Sequence, residues 1–96
     1  MKLSFVYILK CSDGTFYTGA TSNLDKRLQE HKCGEHPDTY TFRRRPIELV
    51  FYAEFTDINV AIEKEKQIKK WSRNKKVALI EGRYVELPNL SKKKFR

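Results

Sequence analysis

The chain alternates between two hydrophobic periods, and each switch marks an element. Phe5 to Lys10 is a β-rich run, and Ser12-Asp13-Gly14 interrupts it with turn chemistry before Phe16-Tyr17-Thr18-Gly19 resumes. The two runs predict a β-hairpin, with Gly19 ending its second strand where the backbone must stay unencumbered. Thr21, Ser22 and Asn23 are all good helix caps, and Asp25 suits a first turn. Leu24 and Leu28 give this first helix its buried face, Arg27 and His31 share another, and Gly34 stops it. Glu35 to Phe42 reads as a loop. In Ile47 to Phe55, Ile47, Leu49, Phe51 and Ala53 alternate with Glu48, Val50, Tyr52 and Glu54, which is a third strand.

Asp57 to Trp71 reads as an amphipathic helix capped by Asp57, with Ile58, Ala61, Ile62, Ile68 and Trp71 as its apolar stripe. Ser72 caps a last helix carrying Val77, Ala78, Leu79 and Ile80, which Gly82 closes. The order β-β-α-β-α-α makes this a small α/β (α+β) domain, a three-stranded antiparallel sheet flanked by helices. Residues 1–83 form the domain and residues 84–96, with Pro88, a flexible basic tail.

Glu65 breaks the pattern. It falls on the apolar stripe, four residues after Ala61 and three before Ile68, whereas Glu63, Lys64, Lys66 and Lys70 point elsewhere. An inward carboxylate is costly unless it is paired, neutralised or bound to a metal. The helix alone fits both a metal-assisted site and a structural pair with a lysine or Arg27.

Charge shifts that balance. The 96 residues are 40% apolar and 33% charged, with a net charge of +8, so the chain is globular and attracted to polyanions. The excess is clustered in Arg43-Arg44-Arg45, in Lys64 to Lys76 with seven basic residues against one acid, and in the tail around Lys92-Lys93-Lys94. Nucleic acid is the partner that best fits three basic clusters on so short a chain. No apolar run is long enough to span a membrane. No small-residue cleavage site follows the first apolar run, and Cys11 and Cys33 lack metal-ligand spacing. A cytoplasmic protein with two free thiols is the expectation.

Further chemical candidates lie outside the basic clusters. Tyr7 and Tyr17 frame the hairpin, although a strand tyrosine taken alone is most often a rim residue with its tip wet. Arg27 offers a planar fork to a phosphate, and His31 lies one turn further along. Two hairpin tyrosines, a helical arginine and an inward glutamate on a later helix together resemble the GIY-YIG nuclease superfamily. Phe5-Val6-Tyr7 stands where Gly-Ile-Tyr is expected, and Tyr17-Thr18-Gly19 where Tyr-Ile-Gly is expected. Phe5, Val6 and Thr18 depart from the pattern, and both tyrosines and Gly19 keep it. Cys11-Ser12-Asp13-Gly14, Arg27-Leu28 with His31, Arg44-Arg45-Pro46, and Glu65-Lys66-Gln67-Ile68-Lys69 with Arg73 and Lys75-Lys76 extend the likeness to roughly residues 5–80. In this the chain resembles the small stand-alone members, UPF0213-like and similar to the N-terminal domain of excinuclease C.

The resemblance implies a metal-dependent endonuclease that hydrolyses phosphodiester bonds in DNA, with a role in repair or recombination by analogy; RNA stays open as a substrate. It implies a single Mg²⁺ or Mn²⁺ ion on Glu65, Tyr7 as general base, Arg27 on the scissile phosphate, and Tyr17 and His31 positioning water or phosphate. Arg27, Arg44, Arg45, Lys66, Lys69, Lys70 and Arg73 are the expected nucleic-acid contacts. A partner protein or an unusual DNA shape would supply selectivity, because 96 residues leave no room for a base-reading module. The alternatives are a nucleic-acid-binding module with weak or no activity, and a small protein-interaction module using the basic face. Phe5 at the motif glycine favours the binding module, because a bulky ring there would crowd the hairpin.

Overall fold

Strand β1 (Ser4–Lys10) lies at the centre of the sheet because both of its faces are buried. Val6, Tyr7, Ile8 and Leu9 are each at most 1% exposed. A computed structural model describes residues 3–82; the expected tail at 84–96 lies outside the described residues. β1 pairs antiparallel with β2 (Phe16–Thr21) on one side and β3 (Glu48–Phe55) on the other, giving the order β2-β1-β3. The helices among the described residues are α1 (Leu24–Cys33), α2 (Ile58–Lys69) and α3 (Arg73–Ile80), and a short 3₁₀ turn spans Phe42–Arg44. The expected α+β architecture and element order are observed.

Side-chain alternation on β1 sorts the core into two layers. Val6 and Ile8 join Ala53 and Phe55 beneath Ala61 and Ile68 of α2 and Ala78 and Leu79 of α3. Tyr7 and Leu9 join Cys11 and Ile47 on the opposite face, where Leu24 and Leu28 of α1 pack.

The hairpin closes through the predicted turn residues. Cys11 N–H donates to the Thr15 carbonyl at 2.8 Å, and Gly14 takes a φ of 86°. The Asp13 carboxylate accepts from both the backbone and the hydroxyl of Thr15, which holds its pKa below the ordinary range, with Arg44 adding to the effect. Helix starts also follow the sequence. Asn23 accepts from Lys26 N–H, Asp57 from Asn59 N–H and Ser72 from Lys75 N–H, and Gly34 ends α1 in the left-handed region at φ 69°.

Three expectations need correction. The alternation of β3 breaks at Val50: Ile8 pairs with Phe51 but Leu9 pairs with Leu49, so Val50 is an extra residue in the ladder. The bulge turns Leu49 and Ile47 to the α1 face while Phe51 and Ala53 stay on the α2 face. On α2, Ala61 and Ile68 are fully buried, but Ile58 and Ile62 are 39% and 38% exposed. The helix meets the sheet along the narrow line through Ala61 and Ile68, so the two isoleucines flank the contact instead of filling it. On α1 the buried residue is His31, and Leu24 and Leu28 are half-buried beside it.

Phe5 does not crowd the hairpin. The β1–β2 register runs unbroken through the Phe5–Thr21 pair, and the Phe5 ring packs edge-on against Tyr52 at 6.3 Å.

Candidate active site

Tyr7 and Gly19 are partners in the β1–β2 register, and the Tyr7 ring lies over Gly19. A Cβ at position 19 would sit 2.6 Å from Tyr7 Cζ, closer than real carbon contacts allow. The missing side chain is therefore the space the phenol occupies, and it lets the ring lie across the edge strand β2.

The Tyr7 hydroxyl ends 3.1 Å from His31 Nε2, a buried hydrogen bond between β1 and α1. The capped start of α1 sets its register, and His31 follows Leu24 and Leu28 on the inward line two turns later. Burial pushes the Tyr7 pKa up to about 12, and the nearby Tyr17 and Glu65 push the same way, while Arg27 opposes them. Burial and then the Arg27 charge hold the His31 pKa below its ordinary value, although Glu30 opposes. At neutral pH this is a protonated phenol facing a neutral imidazole.

Tyr17 completes an aromatic cluster. Its ring centroid lies 5.2 Å from that of His31 and 6.4 Å from that of Tyr7. Its other neighbour, Tyr40, is stacked at 6.0 Å with an interplanar angle of 23°, and Arg44 covers Tyr40 at 3.8 Å. Arg27 lies beside this cluster on the exposed side of α1, where its Nε pairs with Glu30 at 3.2 Å.

Glu65 approaches from the other layer. Its side chain is 12% exposed, and it accepts from the Lys69 ammonium at 2.7 Å one helical turn on. The pair raises the Lys69 pKa. Of the two structural partners considered from the sequence, a lysine and Arg27, the lysine is the one engaged. Glu65 still acts electrostatically on Tyr7, and Lys69 is near enough to Tyr17 to feel its charge. Tyr7, Tyr17, Arg27, His31 and Glu65 thus form one electrostatic neighbourhood assembled from β1, β2, α1 and α2.

The basic residues divide into two groups. Lys66 and Lys70 project outward from α2 and its C-terminus. Arg44, Arg45 and Arg73 fasten the chain to itself. Arg44 donates to Asp13 at 3.1 Å and to the Tyr40 carbonyl at 2.8 Å. Arg45 donates to the Phe42 carbonyl and packs against Gly34. Arg73 reaches back to the Gly14 carbonyl at 2.6 Å and lies over Phe16. Arg45 and Arg73 are held by backbone carbonyls and so still add to the positive field, whereas Arg44 is paired with the Asp13 carboxylate. Sequence reasoning also missed Thr41, which is fully buried with Oγ1 2.7 Å from His31 Nδ1. A lone threonine in a polar loop carries no pattern by which to find it.

Three comparisons show what this chain is similar to. The profile of the GIY-YIG catalytic domain matches residues 3–78. A UPF0213 protein of Syntrophus aciditrophicus is 48% identical over 80 residues, covering 83% of this chain and 92% of the relative. A UPF0213 protein of Clostridium perfringens is 40% identical over 92 residues, covering 94% and 96% of the two chains. Among solved structures, the solution NMR structure of a UPF0213 protein from Bacillus halodurans aligns with a TM-score of 0.54 at 38% identity, covering 82% of this chain and 83% of that one. That of a protein from E. faecalis aligns at 0.60 and 30%, covering 88% and 90%. With the profile matched over residues 3–78 and relatives 48% and 40% identical over most of both chains, this chain belongs to the GIY-YIG catalytic-domain family.

Proposed function

We propose that this protein is a metal-dependent endonuclease that hydrolyses phosphodiester bonds in DNA. The observation that carries the reading is Tyr7: a buried phenol bonded to a neutral imidazole, with Arg27 and Glu65 both acting on its ionisation. A merely structural strand tyrosine has no need of that company. Membership of a nuclease superfamily supports the same reaction class.

Hydrolysis needs an activated water, charge relief on the phosphoryl oxygens and a stabilised leaving group. Tyr7 is the proton acceptor for the water. At a pKa of about 12 it rests protonated, so it must first release its own proton. His31 Nε2 lies within hydrogen-bond distance to take it. Arg27 favours the phenolate and offers its fork to the phosphate. Tyr17 packs against both Tyr7 and His31 and fixes their rings.

Nucleases of this family generally use a divalent metal. Glu65 fits that role: it is a hard oxygen donor, mostly shielded from solvent, and it already holds a cationic group in the Lys69 ammonium. A single carboxylate suits Mg²⁺ or Mn²⁺, which complete their shells with water. When bound, the ion would supply charge relief to the phosphoryl oxygens.

Lys66 and Lys70 would follow the phosphate backbone without reading sequence, so a branched or flapped shape, or a partner protein, would supply selectivity. A binding module with little activity is the second reading, favoured by the same raised pKa of Tyr7. Labelled linear, nicked, flapped and branched DNAs incubated with Mg²⁺, Mn²⁺ or EDTA separate the two. Metal-dependent cutting that Glu65→Ala abolishes supports the nuclease; binding by both proteins without cutting supports the module.

A further inference from the structure

The hydrogen-bond chain that leaves Tyr7 does not stop at His31. His31 Nδ1 lies 2.7 Å from Thr41 Oγ1, and Thr41 is fully buried just before the 3₁₀ turn. Thr41 Oγ1 in turn lies 3.4 Å from Thr39 Oγ1. The Thr39 hydroxyl donates to the His36 carbonyl at 2.8 Å.

A hydroxyl carries one hydrogen, and a carbonyl carries none, so this chain has a direction. The Thr39 hydrogen is committed to the His36 carbonyl, which leaves Thr39 only its lone pairs to offer Thr41. The Thr41 hydrogen therefore points to Thr39, and Thr41 offers His31 a lone pair. His31 Nδ1 must carry the imidazole hydrogen to complete that bond. Nε2 is then the bare nitrogen, and the Tyr7 hydroxyl donates to it. The reverse polarity would leave two threonine oxygens facing each other 3.4 Å apart with no hydrogen between them, beside a fully buried side chain.

We propose that Thr41, backed by Thr39, is a positioning residue that locks His31 in the Nδ1–H tautomer and so aims the Tyr7 proton at Nε2. The tautomer stands on the hydrogen-bond geometry alone; its catalytic consequence rests on the nuclease reading. In that reading the O–H bond of Tyr7 breaks and an N–H bond forms on Nε2, leaving a phenolate and an imidazolium. The phenolate is then free to take the proton of the attacking water. With the other tautomer, Nε2 would donate to the Tyr7 oxygen and could accept nothing from it.

The test uses ¹⁵N-labelled protein. Long-range ¹H–¹⁵N correlations of the imidazole at neutral pH report which nitrogen carries the hydrogen. The expected result is Nδ1–H in the wild type and in Thr41→Ser, and a mixed or Nε2–H form in the near-isosteric Thr41→Val. A wild-type Nε2–H tautomer overturns the proposal, as does a tautomer that Thr41→Val leaves unchanged. In single-turnover cleavage, Thr41→Val should slow the reaction roughly tenfold or more, a typical cost for losing a group that orients a functional side chain. DNA affinity should hold, and Thr41→Ser should recover the rate. An active enzyme indifferent to Thr41→Val overturns the positioning role. If the wild type cuts no nucleic acid while the tautomer still follows Thr41, the nuclease reading fails and the hydrogen-bond polarity stands. If Thr41→Val does not fold, the wild-type and Thr41→Ser spectra still decide the tautomer.

Discussion

Gly19 lies directly beneath the ring of Tyr7, and the two residues are register partners across the β1–β2 ladder. Gly19→Ala would place a methyl group 2.6 Å from Tyr7 Cζ, so the ring must move. The expected cost is roughly 1–3 kcal/mol of stability from overpacking, together with loss of the Tyr7–His31 hydrogen bond. Gly14→Ala is the control. A methyl there meets nothing within 4 Å, and only the positive φ of 86° opposes it. Urea unfolding and cleavage should separate them, with Gly14→Ala destabilising the turn but sparing the chemistry.

Thr18 stands where the motif has an isoleucine, and its hydroxyl is buried with no hydrogen-bond partner among the described residues. It pairs with Ile8 on the α2 face of the sheet. Thr18→Val keeps the shape and removes the unpaired group. The fold should gain on the order of 1 kcal/mol, read as a higher midpoint in urea with an unchanged slope. A loss of stability would mean that the hydroxyl is satisfied in solution.

The pKa of Tyr7, about 12 against an ordinary 10, sets a pH window. The folded state holds this proton more tightly than the unfolded chain, so the contribution is fully present below pH 10 and is lost as pH rises towards 12. Ultraviolet titration of the five tyrosines should show one late phenolate that is missing in Tyr7→Phe. That variant should also lose less stability above pH 10.

The basic residues should separate by role. Lys66→Gln and Lys70→Gln should weaken binding to all DNA sequences alike and flatten the salt dependence by about one for each phosphate no longer neutralised. Stability should stay within roughly 0.5 kcal/mol of wild type for these outward-facing lysines. Arg44→Gln should instead lower the thermal midpoint, because it severs the link from Asp13 to the Tyr40 carbonyl and uncovers the Tyr40 ring. Melting curves alongside salt-dependent binding isotherms distinguish the two classes.

Local chemistry explains what was legible in the sequence. Asn23, Asp57 and Ser72 start helices because a side-chain acceptor next to an apolar period has few other uses, and Gly14 and Gly34 mark left-handed turns. Glu65 stood out because a carboxylate on a core-facing line violates the period it sits in. Features set by tertiary contact were hidden. The bulge at Val50 depends on how β3 meets β1, and no residue within β3 announces it. The exposure of Ile58 and Ile62 depends on how narrow the contact between α2 and the sheet is. Arg44, Arg45 and Arg73 read as free charges because their carbonyl partners are backbone atoms that no sequence displays. Thr41 matters only through His31, ten residues earlier and in a different element.

The central claim is that Tyr7 accepts the proton of the attacking water. Its most direct test is the single-turnover cleavage rate of Tyr7→Phe against wild type in Mg²⁺, on whichever branched or flapped DNA the wild type cuts best, with both proteins saturating. The ring remains over Gly19, so the fold and DNA affinity should persist while the rate falls roughly 100-fold or more. A Tyr7→Phe protein that cuts at the wild-type rate would contradict the account, because the hydroxyl would then serve only to hold His31 in place.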